Sequence, residues 1–171
     1  MAINIQVIYG NIVKQPDVDA VVNSANANLR SGSGVAGAIH AAAGPQLEEC
    51  CKPLAPLELG AAVITPGFNL PNKWVIHIRA SHYQIDDDAQ QCLERALNSM
   101  MALANSNGIE SLALPAIGTG VFQFPPRLAA QITARVLREH ELAGTGVERV
   151  RICLADRELM QIYESVLDGQ G

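Results

Sequence analysis

The stretch covering residues 21–44 constrains the fold of this chain more than any other. It begins as a short apolar run, passes through a segment of Asn, Ser and Gly, and ends as an alanine-rich amphipathic run. This order predicts a strand, a loop and a helix that begins near Val35. The free N–H groups at the start of that helix point towards the loop, where glycine lets the backbone approach a ligand closely. The stretch therefore predicts an anion site, above all a phosphate site.

The loop also matches the G-x-G-x-x-G pattern of dinucleotide-binding folds, in the run Gly32-Ser33-Gly34-Val35-Ala36-Gly37. That fingerprint places its first glycine directly after the strand and an acidic residue about 20 residues later. Here residues 23–31 intervene, and Glu58 follows a proline-broken stretch instead of a second buried strand. The dinucleotide interpretation is therefore less favoured, and a plain glycine-rich loop that closes a helix remains an alternative.

The rest of the chain alternates between strand and helix patterns. Strands are predicted at residues 3–8, near a sheet edge, and at 18–22, 60–65, 73–78, 111–114 and 147–154. Helices are predicted after Asp86, after Pro125 and after Asp156, the last of them through Leu167. This alternation predicts an α/β layered sheet with helices on both faces. We expect one domain over residues 1–167 and a loose tail at 168–171.

Composition narrows the class of protein further. A chain of 171 residues with 49% hydrophobic and 17% charged residues is long enough for one globular core. Its net charge of −5 argues against strong general nucleic-acid binding through phosphate neutralisation. Four cysteines without a C-x-x-C pair, and no apolar signal core, predict a reduced, cytoplasmic protein. No apolar run approaches the about 20 residues of a membrane span.

Two motifs of this sequence resemble those of the macrodomain family. VVNSANANL and GSGVAGAIHAAAG are similar to the family's V-N-A-A-N segment, G-G-G-V loop and A-I-x-x-A-A-G helix. LPAIGTGVF, at residues 114–122, is similar to the family's second ligand loop. The motifs stand in the family's order, and the resemblance covers nearly the whole chain. It implies a three-layer mixed sheet between helices, with an ADP-ribose cleft between the two loops.

The resemblance also implies a set of site residues. Asn26 would be the catalytic residue, orienting the distal ribose, although an Asn here also suits a turn that bonds its own backbone. Phe122 would pack beside the distal ribose, or anchor its loop to the core. Main-chain N–H groups of both loops would hold the diphosphate. The full ligand-binding set is Asn11, Ile12, Asn26, Ser31, Gly32, Ser33, Gly34, Val35, Ala36, Gly118, Thr119, Gly120, Val121 and Phe122.

Three positions depart from the family pattern. Asn11 stands where relatives carry an Asp that accepts a hydrogen bond from the adenine amino group, so we expect a weaker or different adenine preference. Ala155 stands where some relatives stack an aromatic ring on adenine, and a Phe or Tyr from elsewhere would have to replace it. Ala36 stands where the strongly hydrolytic relatives carry an Asp that helps to activate water. Without that carboxylate, hydrolysis would rely on a water held by the ligand's own diphosphate.

No metal or cofactor is expected. The histidines lack ligand spacing with one another and with the cysteines, and His40 lies on an apolar helix face. Cys50 and Cys51 have no adjacent His motif and suit buried packing better than nucleophilic chemistry. Residues 79–81 replace the family's V-G-P after its His, at His77, so this loop should differ in shape.

Three functions remain in competition at this point. The first is an ADP-ribose-binding macrodomain that hydrolyses ADP-ribosyl esters, on O-acetyl-ADP-ribose or on a mono-ADP-ribosylated protein, with modest activity. The second is a reader module that binds ADP-ribose or a related nucleotide without turnover, which Ala36 favours. The third is an NAD-linked oxidoreductase, for which the sequence offers no hydride acceptor site. A membrane partner is not expected for any of them.

Overall fold

Residues 2–169, the part of the chain that the computed structural model describes, are built around one six-stranded sheet. Its strands are β1 (Asn4–Tyr9), β2 (Ala20–Ser24), β3 (Ala62–Pro66), β4 (Trp74–Ile78), β5 (Ser111–Leu114) and β6 (Arg149–Leu154). They lie in the order β1-β6-β5-β2-β4-β3. Neighbouring strands are parallel except β3 and β4, which pair antiparallel, so the sheet is mixed.

Helices cover both faces of the sheet. They are α1 (Gly34–Ala43), α2 (Pro45–Cys51), α3 (Ala89–Ser106), α4 (Pro126–Ala143) and α5 (Arg157–Gly169). Val21 of β2 belongs to the buried cluster formed with α1 and α2, whereas its neighbour Val22 belongs to the cluster formed with α3, α4 and α5. Successive strand residues point to opposite faces, so an apolar run buries itself on both sides. The predicted α/β class, the three layers and the mixed sheet are confirmed.

The structure shifts several predicted boundaries by one or two residues, and two of these shifts bear on the site and on the C-terminal segment. The strand predicted at 18–22 is β2 at Ala20–Ser24, because pairing begins where Ala20 meets Trp74 of β4 and Leu112 of β5. The closing helix continues to Gly169, two residues into the segment predicted as a tail. Gln170 and Gly171, the rest of that segment, lie outside the described residues.

The topology determines where a ligand site can form. The prediction of an edge strand at residues 3–8 is confirmed, since β1 is the outermost strand on one side of the sheet. Because β1, β6, β5 and β2 are parallel neighbours, their carboxyl ends all meet at one edge of the sheet. Among residues 2–169, no helix combines the length and apolar character needed to cross a bilayer.

Candidate functional site

A cleft of about 720 Å³ opens above the carboxyl ends of β1, β2, β5 and β6. Its volume lies in the range of small-molecule and cofactor sites. The segment after β1 and both glycine-rich loops contribute to its walls. Nine of the residues predicted to bind a ligand line it, namely Asn11, Ile12, Ser33, Gly34, Val35, Ala36, Thr119, Gly120 and Phe122.

One wall of the cleft is the N-terminus of α1. Ser33 precedes the helix in an extended conformation, and its hydroxyl makes no capping hydrogen bond. The first residues of an α-helix have N–H groups without an intrahelical acceptor, so Gly34, Val35 and Ala36 offer such groups to the cleft. The first turn carries no acidic side chain that would occupy this positive end of the helix. The wall therefore suits an anion.

The first loop packs directly against this helix. Gly37, on the first full turn of α1, contacts the Gly32 backbone so closely that a Cβ at position 37 would overlap the Gly32 carbonyl oxygen. The same Cβ would stand 3.3 Å from the Gly32 carbonyl carbon. Glycine at position 37 thus sets the distance between the loop and the free N–H groups of the helix.

The opposite wall is the second glycine-rich loop. Internal hydrogen bonds shape it, from the Phe124 N–H to the Gly118 carbonyl at 2.8 Å and from the Gln123 N–H to the Gly120 carbonyl at 3.0 Å. Gly118 has φ of 87°, and a Cβ there would press on the Phe124 ring at 2.9 Å, so a side chain is excluded. Among the described residues, the N–H groups of Gly118 and Gly120 make no hydrogen bond. This wall also offers main-chain donors.

The two walls together explain how an acidic chain can hold an anion. Within the part of the chain that the structure describes, no Lys or Arg lines the cleft. The positive potential comes instead from oriented main-chain N–H groups and from the helix end, which need no side-chain charge. The arrangement fits a diphosphate that bridges the two loops.

The end of the cleft over β1 and β6 carries apolar side chains and an aromatic ring. Tyr9 ends β1, is 52% exposed and lines the cleft together with Ile12, Ala155 and Leu159. The Arg157 guanidinium covers the Tyr9 ring, with its central carbon 4.5 Å from the ring centre. A flat heteroaromatic group suits this end, where Tyr9 supplies an aromatic ring that the sequence did not point to.

The ionisable groups of the cleft lie at this same end. Asp156 is the cap of α5, where its Oδ1 accepts hydrogen bonds from the Glu158 N–H at 2.8 Å and the Leu159 N–H at 3.3 Å. Cys153 also lines the cleft, and burial raises the pKa of its thiol to about 11, so it is protonated at neutral pH. At the other end of the cleft, between the two glycine-rich loops, position 36 is alanine, and no described lining residue there carries a carboxylate.

Asn26 does not line the cleft in this structure. Its Nδ2 donates to the Arg30 carbonyl at 2.8 Å, and its Oδ1 accepts from the Arg30 N–H at 3.0 Å. These bonds are those of the turn-forming alternative that the sequence left open. These two bonds use one N–H and one lone pair of the Asn26 carboxamide, so a second N–H and a second lone pair are left for another partner.

Four other predicted ligand-binding residues also lie outside the lining. Ser31 and Gly32 are exposed on the outer part of the first loop, whereas Gly118 is buried beneath the second. Val121 belongs to the 3₁₀ turn at Gly120–Phe122, and its side chain lies outside the described part of the chain. The ligand contacts of these four residues remain predictions.

His77 lies in a structural hydrogen-bond network that joins three strands. His77 is fully buried; its Nδ1 accepts from Asn23 Nδ2 at 3.0 Å, so the proton is on Nε2, which faces Thr65 Oγ1 at 3.0 Å. Burial, with a smaller contribution from His40, lowers the pKa of His77 to about 3. The ring therefore stays neutral and links β2, β3 and β4. No group of three or more potential ligands that could hold a metal occurs within residues 2–169.

The sequence missed several lining residues because they belong to strand ends. Tyr9 lay just beyond a strand predicted to end at residue 8, Cys153 was assigned only to a strand, and Ser24 was placed in the loop after a strand predicted to end at residue 22. Two signals could have found them. Extending the predicted strand from residue 22 to residue 24 would have placed Ser24 at a strand end. An aromatic residue directly after the predicted edge strand would have indicated Tyr9. The other lining residues not predicted as ligand-binding are Gly10, Ala38, Pro115, Ala116, Leu154, Ala155, Asp156 and Leu159.

This chain is similar to known proteins in sequence and in fold. The family model described as Macro domain matches residues 22–133. An O-acetyl-ADP-ribose deacetylase from Salmonella gallinarum is 39% identical over 100% of this chain and 98% of its own length. A macro domain-containing protein from Ralstonia nicotianae is 40% identical over 88% of this chain and 86% of its own length.

Solved structures give the same result for the fold. The Oceanobacillus iheyensis macrodomain with ADP superposes with a TM-score of 0.91 at 29% identity, covering 96% of this chain and 90% of that one. A mutant of that macrodomain gives a TM-score of 0.93 at 29% identity, covering 99% of this chain and 91% of that one.

Proposed function

This chain belongs to the Macro domain family, and we propose that it binds ADP-ribose in the cleft and hydrolyses ADP-ribosyl esters at a modest rate. The substrate is O-acetyl-ADP-ribose or a mono-ADP-ribosylated protein. The observation that carries the proposal is the pair of glycine-rich walls with unpartnered N–H groups on both sides of one cleft. The names of full-length relatives, O-acetyl-ADP-ribose deacetylase, support the choice of ester.

The cleft accommodates the parts of ADP-ribose in one direction. The diphosphate lies between the α1 N-terminus and the second loop, because both offer main-chain donors. The base lies at the end over β1 and β6, beside the Tyr9 ring that lines the cleft there. The distal ribose then lies towards Phe122 and the turn that contains Asn26. In this proposal Asn26 orients that ribose with the amide N–H and lone pair that Arg30 leaves unused.

The reaction proceeds without a protein carboxylate at the bond that breaks. A water oxygen attacks the ester carbonyl carbon, the bond from that carbon to the ribose oxygen breaks, and the products are the free acid and ADP-ribose. Cys153 is no nucleophile for this step, since its thiol is protonated and lies at the other end. The ligand's own diphosphate holds the water, and the two loops supply the rate by positioning. A modest rate follows from the missing general base at Ala36.

Two measurements on the same preparation test the proposal. Calorimetric titration with ADP-ribose should give saturable binding, and incubation with O-acetyl-ADP-ribose should release ADP-ribose above the uncatalysed rate. Asn26→Ala should lower the release rate more than it lowers affinity, if orientation is its task. Absence of ADP-ribose binding would overturn the proposal altogether.

A reader module is the second candidate, and Ala36 favours it because no carboxylate stands in the first turn of α1. Binding without release over many hours, on both the small-molecule ester and a mono-ADP-ribosylated protein, would select the reader. Competition with NAD separates both candidates from an oxidoreductase, because tighter binding of NAD than of ADP-ribose would favour the oxidoreductase.

A further inference from the structure

We propose that Gln15 and Arg151 are positioning residues for the base end of the cleft, over β1 and β6. Arg151 holds Gln15, and Gln15 closes the turn at residues 11–14, which follows β1. Two residues of this turn, Asn11 and Ile12, line the cleft. Gln15 and Arg151 do not line it, so they act through the turn. The inference rests on the proposed function, because it concerns affinity for ADP-ribose, and it extends that function to two residues outside the cleft.

The turn is closed on the carbonyl oxygen of Asn11. The Lys14 N–H donates to this oxygen at 3.0 Å, and the Gln15 side chain donates to it through Nε2 at 2.9 Å. At its start the segment is fixed to β6, because the Gly10 N–H donates to the Leu154 carbonyl at 2.9 Å. Gln15 therefore secures the side of the turn that lies away from this main-chain bond.

The other end of the Gln15 side chain is held by Arg151, in the middle of β6. Arg151 Nη1 donates to Gln15 Oε1 at 3.0 Å. The same guanidinium pairs with both oxygens of Asp17, from Nη1 at 2.6 Å and from Nη2 at 2.7 Å. Its Nε donates to Gln6, which lies opposite Arg151 on β1, at 3.2 Å. Four N–H groups of the guanidinium are thus engaged, which fixes its orientation.

These two contacts determine the orientation of the Gln15 carboxamide. Arg151 offers only donors and the Asn11 carbonyl is only an acceptor, so the amide oxygen faces Arg151 and the NH₂ group faces Asn11. Gln15 is 9% exposed and the Arg151 side chain is 13% exposed. Hydrogen bonds so little in contact with water are stronger than exposed ones. Arg151, Gln15 and Asn11 therefore form one contact path from β6 to the wall of the cleft.

The ion pair at the start of this contact path persists over a wide pH range. The hydrogen bonds from Arg151 hold the pKa of the Asp17 carboxyl well below its usual range. Arg149 also binds Asp17, through the carboxylate at 3.2 Å and the main-chain carbonyl at 2.8 Å. Among the described residues, the Arg149 side chain hydrogen-bonds to Asp17 alone. Arg149 therefore shares the acidic partner of Arg151 but not its link to Gln15.

The contact path affects binding because it fixes the turn before a ligand arrives. A wall that is already ordered loses less conformational entropy on binding than one that the ligand must order. Without Gln15, the Asn11 carbonyl keeps only one of its two donors, and the turn gains freedom that binding must remove. Loss of one hydrogen bond of this kind corresponds to a rise in Kd of about two- to tenfold.

Calorimetric titration of variants with ADP-ribose tests the contact path. Gln15→Met removes both contacts in a side chain of similar length and leaves Arg151 paired with Asp17, so the Kd should rise about two- to tenfold. Arg151→Met should raise it by a similar factor. The double variant should bind about as tightly as either single variant, because both changes break the same path. The matched control is Arg149→Met, which removes the same charge from the same strand and should bind like the native protein.

Amide hydrogen exchange provides a readout that needs no ligand. The Lys14 N–H should exchange faster in Gln15→Met and in Arg151→Met than in the native protein, whereas the amides of β4 should keep their rates. A general loss of stability would accelerate exchange in β4 as well. The comparison therefore separates a local effect on the turn from a merely structural one.

The outcomes separate this inference from the proposed function. Native-like affinity in Gln15→Met, losses that multiply in the double variant, or an equal loss in Arg149→Met would overturn the inference and leave the proposed function intact. An unchanged Lys14 exchange rate in Gln15→Met would also overturn it. Absence of ADP-ribose binding by the native protein would overturn the proposed function, so the two fail on different measurements.

Discussion

Replacing Gly37 by Ala should weaken ADP-ribose binding by about ten- to a hundredfold without unfolding the protein. The new Cβ would lie closer to the Gly32 carbonyl oxygen than the 3.0 Å that real Cβ atoms keep. Because the obstacle is backbone, the loop and the start of α1 must move apart by about 1 Å to restore ordinary contact. That displacement is carried to the N–H groups of Gly34, Val35 and Ala36, which lie one turn away on the same helix.

The size of the effect follows from hydrogen-bond geometry. A shift of about 1 Å lengthens a bond of about 2.9 Å beyond the range in which it is effective. A hydrogen bond to a charged group contributes about 1.5–3 kcal/mol, so loss of one bond to the diphosphate gives the stated factor. Ala is a better helix former than Gly by about 1 kcal/mol, which offsets part of the strain in the folded state.

Calorimetric titration with ADP-ribose and thermal unfolding of the same samples provide the assay. The matched control is Gly146→Ala, before β6, where the Cβ would lie 3.8 Å from Asn105 Oδ1 and has ordinary space. This control should bind like the native protein. Native-like affinity in Gly37→Ala, with an unchanged unfolding temperature, would refute the assignment of the diphosphate to this wall.

Three further predictions follow from other parts of the structure. Burial lowers the pKa of His77 to about 3 from the ordinary 6.5, so between these two pH values the unfolded chain binds this proton and the folded chain does not. The free energy of unfolding should therefore be highest above pH 6.5 and should fall by about 2 kcal/mol by pH 5. Denaturant unfolding at several pH values would check this, and His77→Gln should give a flatter dependence on pH. Tyr9→Ala should weaken ADP-ribose binding about tenfold by loss of base stacking, whereas Tyr9→Phe should not. If calorimetry gives Tyr9→Ala the same affinity for ADP-ribose as the native protein, Tyr9 does not belong to the base site. Ala36→Asp should raise the rate of ADP-ribose release about tenfold or more by adding a general base near the distal ribose. If the variant binds ADP-ribose but hydrolyses O-acetyl-ADP-ribose no faster than the native protein, the missing base is not the cause of the modest rate.

The sequence by itself determined the elements and their chemistry where the signal is local. Glycines 32, 34 and 37 before an alanine-rich run specify a loop and a helix start whatever lies around them, because backbone freedom and unpaired N–H groups are properties of the segment. The same holds for the second loop, and the alternation of strand and helix patterns was enough for the α/β class. Ala36 could also be identified as a missing carboxylate from its place in the motif.

Only the tertiary structure decided which side chains meet at the cleft. Tyr9 reaches it because β1 pairs with β6, so that Tyr9 lies opposite Leu154 and next to Ala155. The Asn26 carboxamide is engaged with Arg30, and the Asn11 amide has its donor end free because Val13 holds the oxygen. These facts depend on strand order, register and competition for hydrogen bonds between segments far apart in the chain, and a local pattern carries no information about a partner that another segment supplies.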